Sequence, residues 1–144
     1  MIVLFNKVNQ GATYQEKTFD YWIHGQTESG LKVVLYDSRF DLREHEGKVV
    51  DCLILAFMAQ DINSIKENEE SDPYHPIIKG TFEGEYNVSS KWKNYKKVER
   101  YAVSTNDGIL LVSKNDLENR DLNIGDEIIF TVGRLDLLDW IPIK

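Results

Sequence analysis

Apolar residues in this chain recur mostly at every second position, the spacing that turns one face of a strand inward. The clearest run is 78–86. Ile78, Gly80, Phe82, Gly84 and Tyr86 share one face, and Lys79, Thr81, Glu83 and Glu85 share the other. Glycine between bulky inward residues lets a strongly coiled sheet close without overfilling its centre, which favours a small barrel over a flat sandwich. In 18–24, Phe19, Tyr21 and Ile23 alternate with Asp20, Trp22 and His24. A Thr27-Glu28-Ser29-Gly30 turn then leads to Leu31, Val33 and Leu35 in phase. Segment 48–58 is apolar on both faces, which predicts a strand that is central or covered on its second side. Its β-branched content favours a strand over a buried helix.

The strongest hairpin signal is Tyr101–Thr105, then Asn106-Asp107-Gly108, then Ile109–Val112. Those turn residues tolerate the positive φ that tight hairpins demand. Ser113-Lys114-Asn115-Asp116 reads as a helix start capped by Ser113, predicting one or two turns that end near Asn119. Leu122 and Ile124 lead into a Gly125-Asp126 turn that opens the last strand. Within that strand, Ile128, Phe130 and Val132 hold even positions, whereas Leu135 and Leu137 hold odd ones. The inward parity flips at Gly133, which predicts a β-bulge or sharp bend there, a device that lets one long strand serve both halves of a closed barrel. Met58, Ile62 and Ile65 have helical spacing and predict one short amphipathic helix. Beyond them Glu67, Glu69, Glu70 and Asp72 form an acidic stretch stopped by Pro73 and Pro76. No internal repeat and no domain boundary is legible. The expectation is one mainly β domain over residues 1–144, a small antiparallel barrel with one or two short helices.

The glycine-bearing coiled strand, the helix-like insertion between the third and fourth main strands, and the run from Leu122 to Leu135 together resemble an OB-type barrel. The resemblance spans Phe19 to Trp140 and is one of fold only, so it transfers no functional residue. Seven strand candidates exceed the five of the plain fold, which implies added hairpins or a variant architecture.

Composition narrows the class. With 144 residues, about 68–70% of the unfolded surface is expected to be buried, enough for a self-sufficient core. Apolar residues at 42% and charged residues at 28% exclude general disorder, and one cysteine excludes a disulfide framework. No apolar run approaches the ~20 residues of a membrane-spanning helix. Met1–Phe5 is apolar, but no basic residue precedes it and Asn6-Lys7 ends it, so no secretory signal is expected and the cytoplasm is the expected compartment. Cys52 lies inside an apolar strand pattern and reads as a buried reduced thiol; a lone nucleophile is the alternative, and it would need exposure and a basic partner.

Candidate chemistry is sparse. No two of His24, His45 and His75 are three or four positions apart, as a helical metal pair requires. His45 between Glu44 and Glu46 reads as part of a solvated charged turn. No nucleophile elbow, phosphate loop or dinucleotide fingerprint is present, and the acidic runs lie on solvated faces that rarely perturb a carboxyl for acid–base work. No catalytic residue, metal or cofactor is expected, and the chain reads as a binding protein, not an enzyme.

Two patches carry the binding readings. The net charge of −7 disfavours a broad phosphate-binding surface. The acidic residues Glu67, Glu69, Glu70, Asp72, Glu83 and Glu85 therefore suggest a protein-interaction module for a basic partner, with inhibitor or immunity-like action as one version of it. The alternative is an OB-like binder of single-stranded nucleic acid or another oligomer. It would act through Trp92, Lys93, Tyr95, Lys96, Lys97 and Arg100, since rings interleaved with cations stack bases and meet phosphates. Trp22 shares the polar-leaning face of its strand with His24 and is expected to pack beneath the 61–72 insertion.

Overall fold

A computed structural model describes residues 1–65, 69–96 and 98–143. Its strands are β1 (Ile2–Gln10), β2 (Thr13–Tyr14), β3 (Lys17–Thr18), β4 (Tyr21–Thr27), β5 (Lys32–Asp37), β6 (Val49–Gln60), β7 (Ile77–Glu85), β8 (Arg100–Thr105), β9 (Gly108–Ser113) and β10 (Glu127–Pro142). Short 3-10 turns lie at Arg43–His45 and Lys114–Leu117. The fold is mainly β, as the alternation predicts, and the sheet closes. It closes twice. One ring runs β1–β4–β5–β10–β6 and back to β1. The other runs β7–β8–β9–β6–β10 and back to β7. Both rings follow the same path: three antiparallel strands in succession, the third lying parallel to a shared strand, β5 beside β10 and β9 beside β6. A repeat that the side chains do not advertise is thus present in the backbone topology.

The shared strands explain the parity flip. Ile128, Phe130 and Val132 of β10 are buried where it pairs with β7, and Leu135, Leu137 and Asp139 where it runs beside β5 and the N-terminal half of β6. β6 does the same, burying Val50, Cys52, Ile54 and Ala56 and then Ala59. The two switches face each other, in the rung between Ala59–Val132 and Phe57–Arg134. Met58 there has φ +60°, and a Cβ on Gly133 would lie 2.9 Å from the Met58 Cβ and 3.2 Å from the Phe57 carbonyl oxygen. The strands cross so closely that any side chain here would force Met58 or the β6 backbone to shift. Pairing continues through this rung, so Gly133 marks the bend and not a bulge; the register of β10 slips further on, between Leu137 and Asp139. In β7 the register slips between Phe82 and Gly84, and Gly84 takes φ +78°.

Most buried apolar residues, from Val3 and Phe5 through Ile54 to Phe130 and Leu137, form one cluster that fills both rings. A second cluster lies on the opposite face of the central strand, where Leu53, Leu55, Ala102 and Leu111 are covered by Trp92. The doubly apolar segment 48–58 is therefore central and covered, and its cover is the segment around Trp92.

Three local expectations change. β1 begins where only an apolar start was legible, because its alternation is interrupted by a register slip between Phe5 and Lys7. The helix expected from Met58 to Ile65 is absent among the described residues; β6 runs to Gln60, and Ile62 alone turns back into the core. Ser113 precedes the Lys114–Leu117 turn, but its side chain makes no capping hydrogen bond. Among the described residues no helix is long and apolar enough to cross a membrane.

Candidate functional site

The two equivalent hairpin turns, one per ring, meet at the mouth of a cavity. The β4–β5 turn is closed by Thr27 N–H donating to the Leu31 carbonyl (2.9 Å) and Gly30 N–H donating to the Thr27 carbonyl (3.0 Å). The β8–β9 turn holds Asn106 and Asp107 at its tip, and Asp107 N–H donates to Thr105 Oγ1 (3.1 Å). Asp107 then reaches across to the first turn. Its Oδ1 accepts from Ser29 N–H (2.8 Å), and its Oδ2 accepts from the hydroxyls of Ser29 (2.6 Å) and Thr27 (2.8 Å). Partial burial pushes the Asp107 carboxyl up, but the donors on Ser29 and Thr27 outweigh it and hold the group below the ordinary aspartate value.

Beneath this clasp lies a cavity of about 170 Å³. Its floor is aliphatic: Val33 of β5, Ile54 and Leu135 of the shared strands, Ile78 of β7 and Leu110 of β9. Ser29, Lys79, Thr105, Asn106 and Asp107 provide the polar rim, beside Met1 with its terminal ammonium. An apolar floor with a few convergent polar groups is the usual form of a small-molecule site. Space of this order, lined by aliphatic side chains, accommodates a molecule the size of benzene.

The residues predicted from sequence lie elsewhere. Trp92 is 6% exposed, its ring serving as the roof of the second cluster, so it offers no face to a base. Tyr95 is half-buried, donates its hydroxyl to the Val98 carbonyl (3.0 Å) and accepts from Arg100 (3.2 Å). Lys93 and Lys96 are exposed, and Lys97 lies outside the described residues. Of the acidic set, Glu69, Glu70 and Asp72 are exposed before the Pro73–Pro76 loop, whereas Glu83 accepts from the Ser104 hydroxyl and Glu85 pairs with Lys114. Glu67 also lies outside the described residues.

Trp22 is half-buried against Tyr36 of β5 and Tyr74, which lies just past the 61–72 insertion. His24 stands edge-on to Tyr74, and the Nδ1 of His75 is 2.9 Å from the Gly133 carbonyl oxygen. His45 is not a solvated turn residue: its ring packs 4.7 Å from that of Trp140. Cys52 is fully buried, and burial pushes its thiol well above the usual range, so it is a packing residue and not a nucleophile. Among the described residues no three of His, Cys, Asp and Glu gather as metal ligands would.

Thr27, Ser29 and Asp107 went unrecognised as site residues. Both turns were legible as turns, but nothing in the chain signals that residues 78 positions apart meet.

Fold and cavity together define a class: two OB-like barrels fused through two shared strands, with a small cavity at their junction. The solved structure of the cytoplasmic molybdate-binding protein ModG, crystallised with molybdate bound, shares this fold at a TM-score of 0.51 and 12% identity, over 99% of this chain and 94% of that one. No protein-family model and no curated protein matches the chain. This likeness corrects the expected function and partners. The fold is shared with a binder of a small ligand, which points away from both the acidic protein-interaction module and the single-stranded nucleic-acid binder. The placement of Trp92 supplies a physical reason on the second count: the aromatic groups of that patch are spent on the core.

Proposed function

We propose that this chain is a non-enzymatic small-ligand-binding protein whose ligand occupies the cavity between the two barrels, beneath the Ser29–Asp107 clasp. The observation that carries the reading is the lining itself. Both shared strands contribute to the floor through Ile54 and Leu135, and a turn from each ring contributes to the rim. A ligand there touches both barrels at once, so its binding energy acts directly on their junction. The shared fold with ModG supports the reading, and its cytoplasmic setting, together with the single buried Cys52, supports the same compartment for this chain.

The test is a fragment screen by methyl-detected NMR on the intact protein. Saturable shifts at Ile54, Leu110 and Leu135, abolished by Val33→Phe, are expected. Fragments that leave those methyls unmoved at millimolar concentration, or that bind Val33→Phe unchanged, would count against the cavity.

A further inference from the structure

The chemical class of the ligand follows from where the polar donors at the cavity mouth already point. We infer, on the basis of the small-ligand reading above, that this cavity takes a small amphipathic molecule bearing a protonated amine and does not take an oxyanion. An oxyanion site needs hydrogen-bond donors directed at vacant space. Here the Ser29 N–H, the Ser29 hydroxyl and the Thr27 hydroxyl would form such a set, and all three are directed at the carboxylate of Asp107. The chain supplies its own anion at that position. An incoming oxyanion would have to displace a covalently tethered carboxylate or sit beside it against like charge.

The remaining rim donors are few. The Thr105 hydroxyl already donates to the Gly108 carbonyl (2.8 Å), and the Met1 ammonium, which also lines the cavity, already donates to Asp51 Oδ1 (3.2 Å) and the Cys52 carbonyl (2.9 Å), which leaves the Asn106 amide and the exposed Lys79. The aliphatic floor offers nothing to a tetrahedral dianion and would strip its hydration without compensation. The same features suit an amine. A carboxylate has about four acceptor positions, and Asp107 uses three, two on Oδ2 and one on Oδ1, so one on Oδ1 is open to a further N–H. An ammonium head meeting Asp107 leaves its hydrocarbon body over Val33, Ile54, Ile78, Leu110 and Leu135. The overall charge of −7 attracts such a ligand and repels an anion.

The experiment compares benzylamine, benzyl alcohol and sodium molybdate as probes on the intact protein, followed through the methyl signals of Ile54, Leu110 and Leu135 at neutral pH and low salt. The expected result is that benzylamine binds about tenfold more tightly than benzyl alcohol, that this advantage collapses in Asp107→Asn, and that molybdate leaves the methyls unmoved. In the parent protein, 1 M salt should weaken the amine and spare the alcohol, a readout independent of how Asp107→Asn folds. Equal affinity of amine and alcohol, or saturable binding of molybdate at these methyls, overturns the amine assignment while leaving small-ligand binding standing. Failure of all three probes to reach the cavity overturns both.

Discussion

Trp92→Ala is the sharpest test of how this fold is held together. In the structure Trp92 is 6% exposed and lies over Leu53, Leu55, Ala102 and Leu111, with Tyr86, Tyr95, Leu138 and Ile141 partly buried around it. A tryptophan buries on the order of 150–250 Å², which at ~25 cal/mol per Å² is about 4–6 kcal/mol as an upper bound. Measured losses for buried aromatic-to-alanine changes run at about 3–5 kcal/mol. The Lys91 ammonium, 4.7 Å from the ring centroid, adds at most ~1 kcal/mol because Lys91 is exposed. A loss near 4 kcal/mol is a large part of the ~5–15 kcal/mol that stabilises a typical domain. At ~2–4 °C per kcal/mol it lowers Tm by about 8–16 °C. Urea unfolding followed by circular dichroism measures it, with Lys93→Ala and Lys96→Ala as exposed controls expected within about 0.5 kcal/mol of the parent. A Trp92→Ala loss below about 1 kcal/mol at unchanged m-value would refute the reasoning, because it would mean that β6 has no packed cover on its second face.

Other outcomes follow from the same structure. Asp107→Ala removes three accepted hydrogen bonds and should cost about 1–3 kcal/mol by urea unfolding at neutral pH. Because the folded-state pKa of Asp107 is depressed, its contribution is present above the ordinary aspartate pKa and is lost as pH falls through the lower folded value; parent and variant stabilities should therefore converge in acid. Gly133→Ala places a Cβ 2.9 Å from that of Met58 and near the Phe57 carbonyl, and should cost about 1–3 kcal/mol, read as a lower urea midpoint. Cys52, wholly enclosed and with its thiol pKa raised, should react with a thiol reagent only at the rate of global unfolding, which time-resolved labelling in increasing urea checks.

Short-range features were legible in the chain. The alternation of Tyr21 and Ile23 with Trp22 and His24, the hairpin around Asn106-Asp107, and the parity change at Gly133 are set by neighbours within a few residues, where the two-residue period of a strand leaves a readable mark. The double apolar face of 48–58 correctly announced a covered central strand. The nature of the cover was not legible, and the cations interleaved with Trp92 and Tyr95 imitated a binding stripe. A tryptophan beside lysines looks the same whether its ring faces solvent or packs on Leu53 and Leu111.

Tertiary structure alone decided that the sheet closes in two rings. That outcome depends on β10 pairing with β5, β6 and β7, partners far from it in the chain, through backbone groups that every residue carries and no side chain marks. It also decided the candidate site. Ser29 and Asp107 are ordinary turn residues in the sequence, and only the docking of one ring's hairpin against the other's makes them a clasp over a cavity. Periodicity governs which way a side chain points along its own strand, whereas long-range pairing governs which side chains meet.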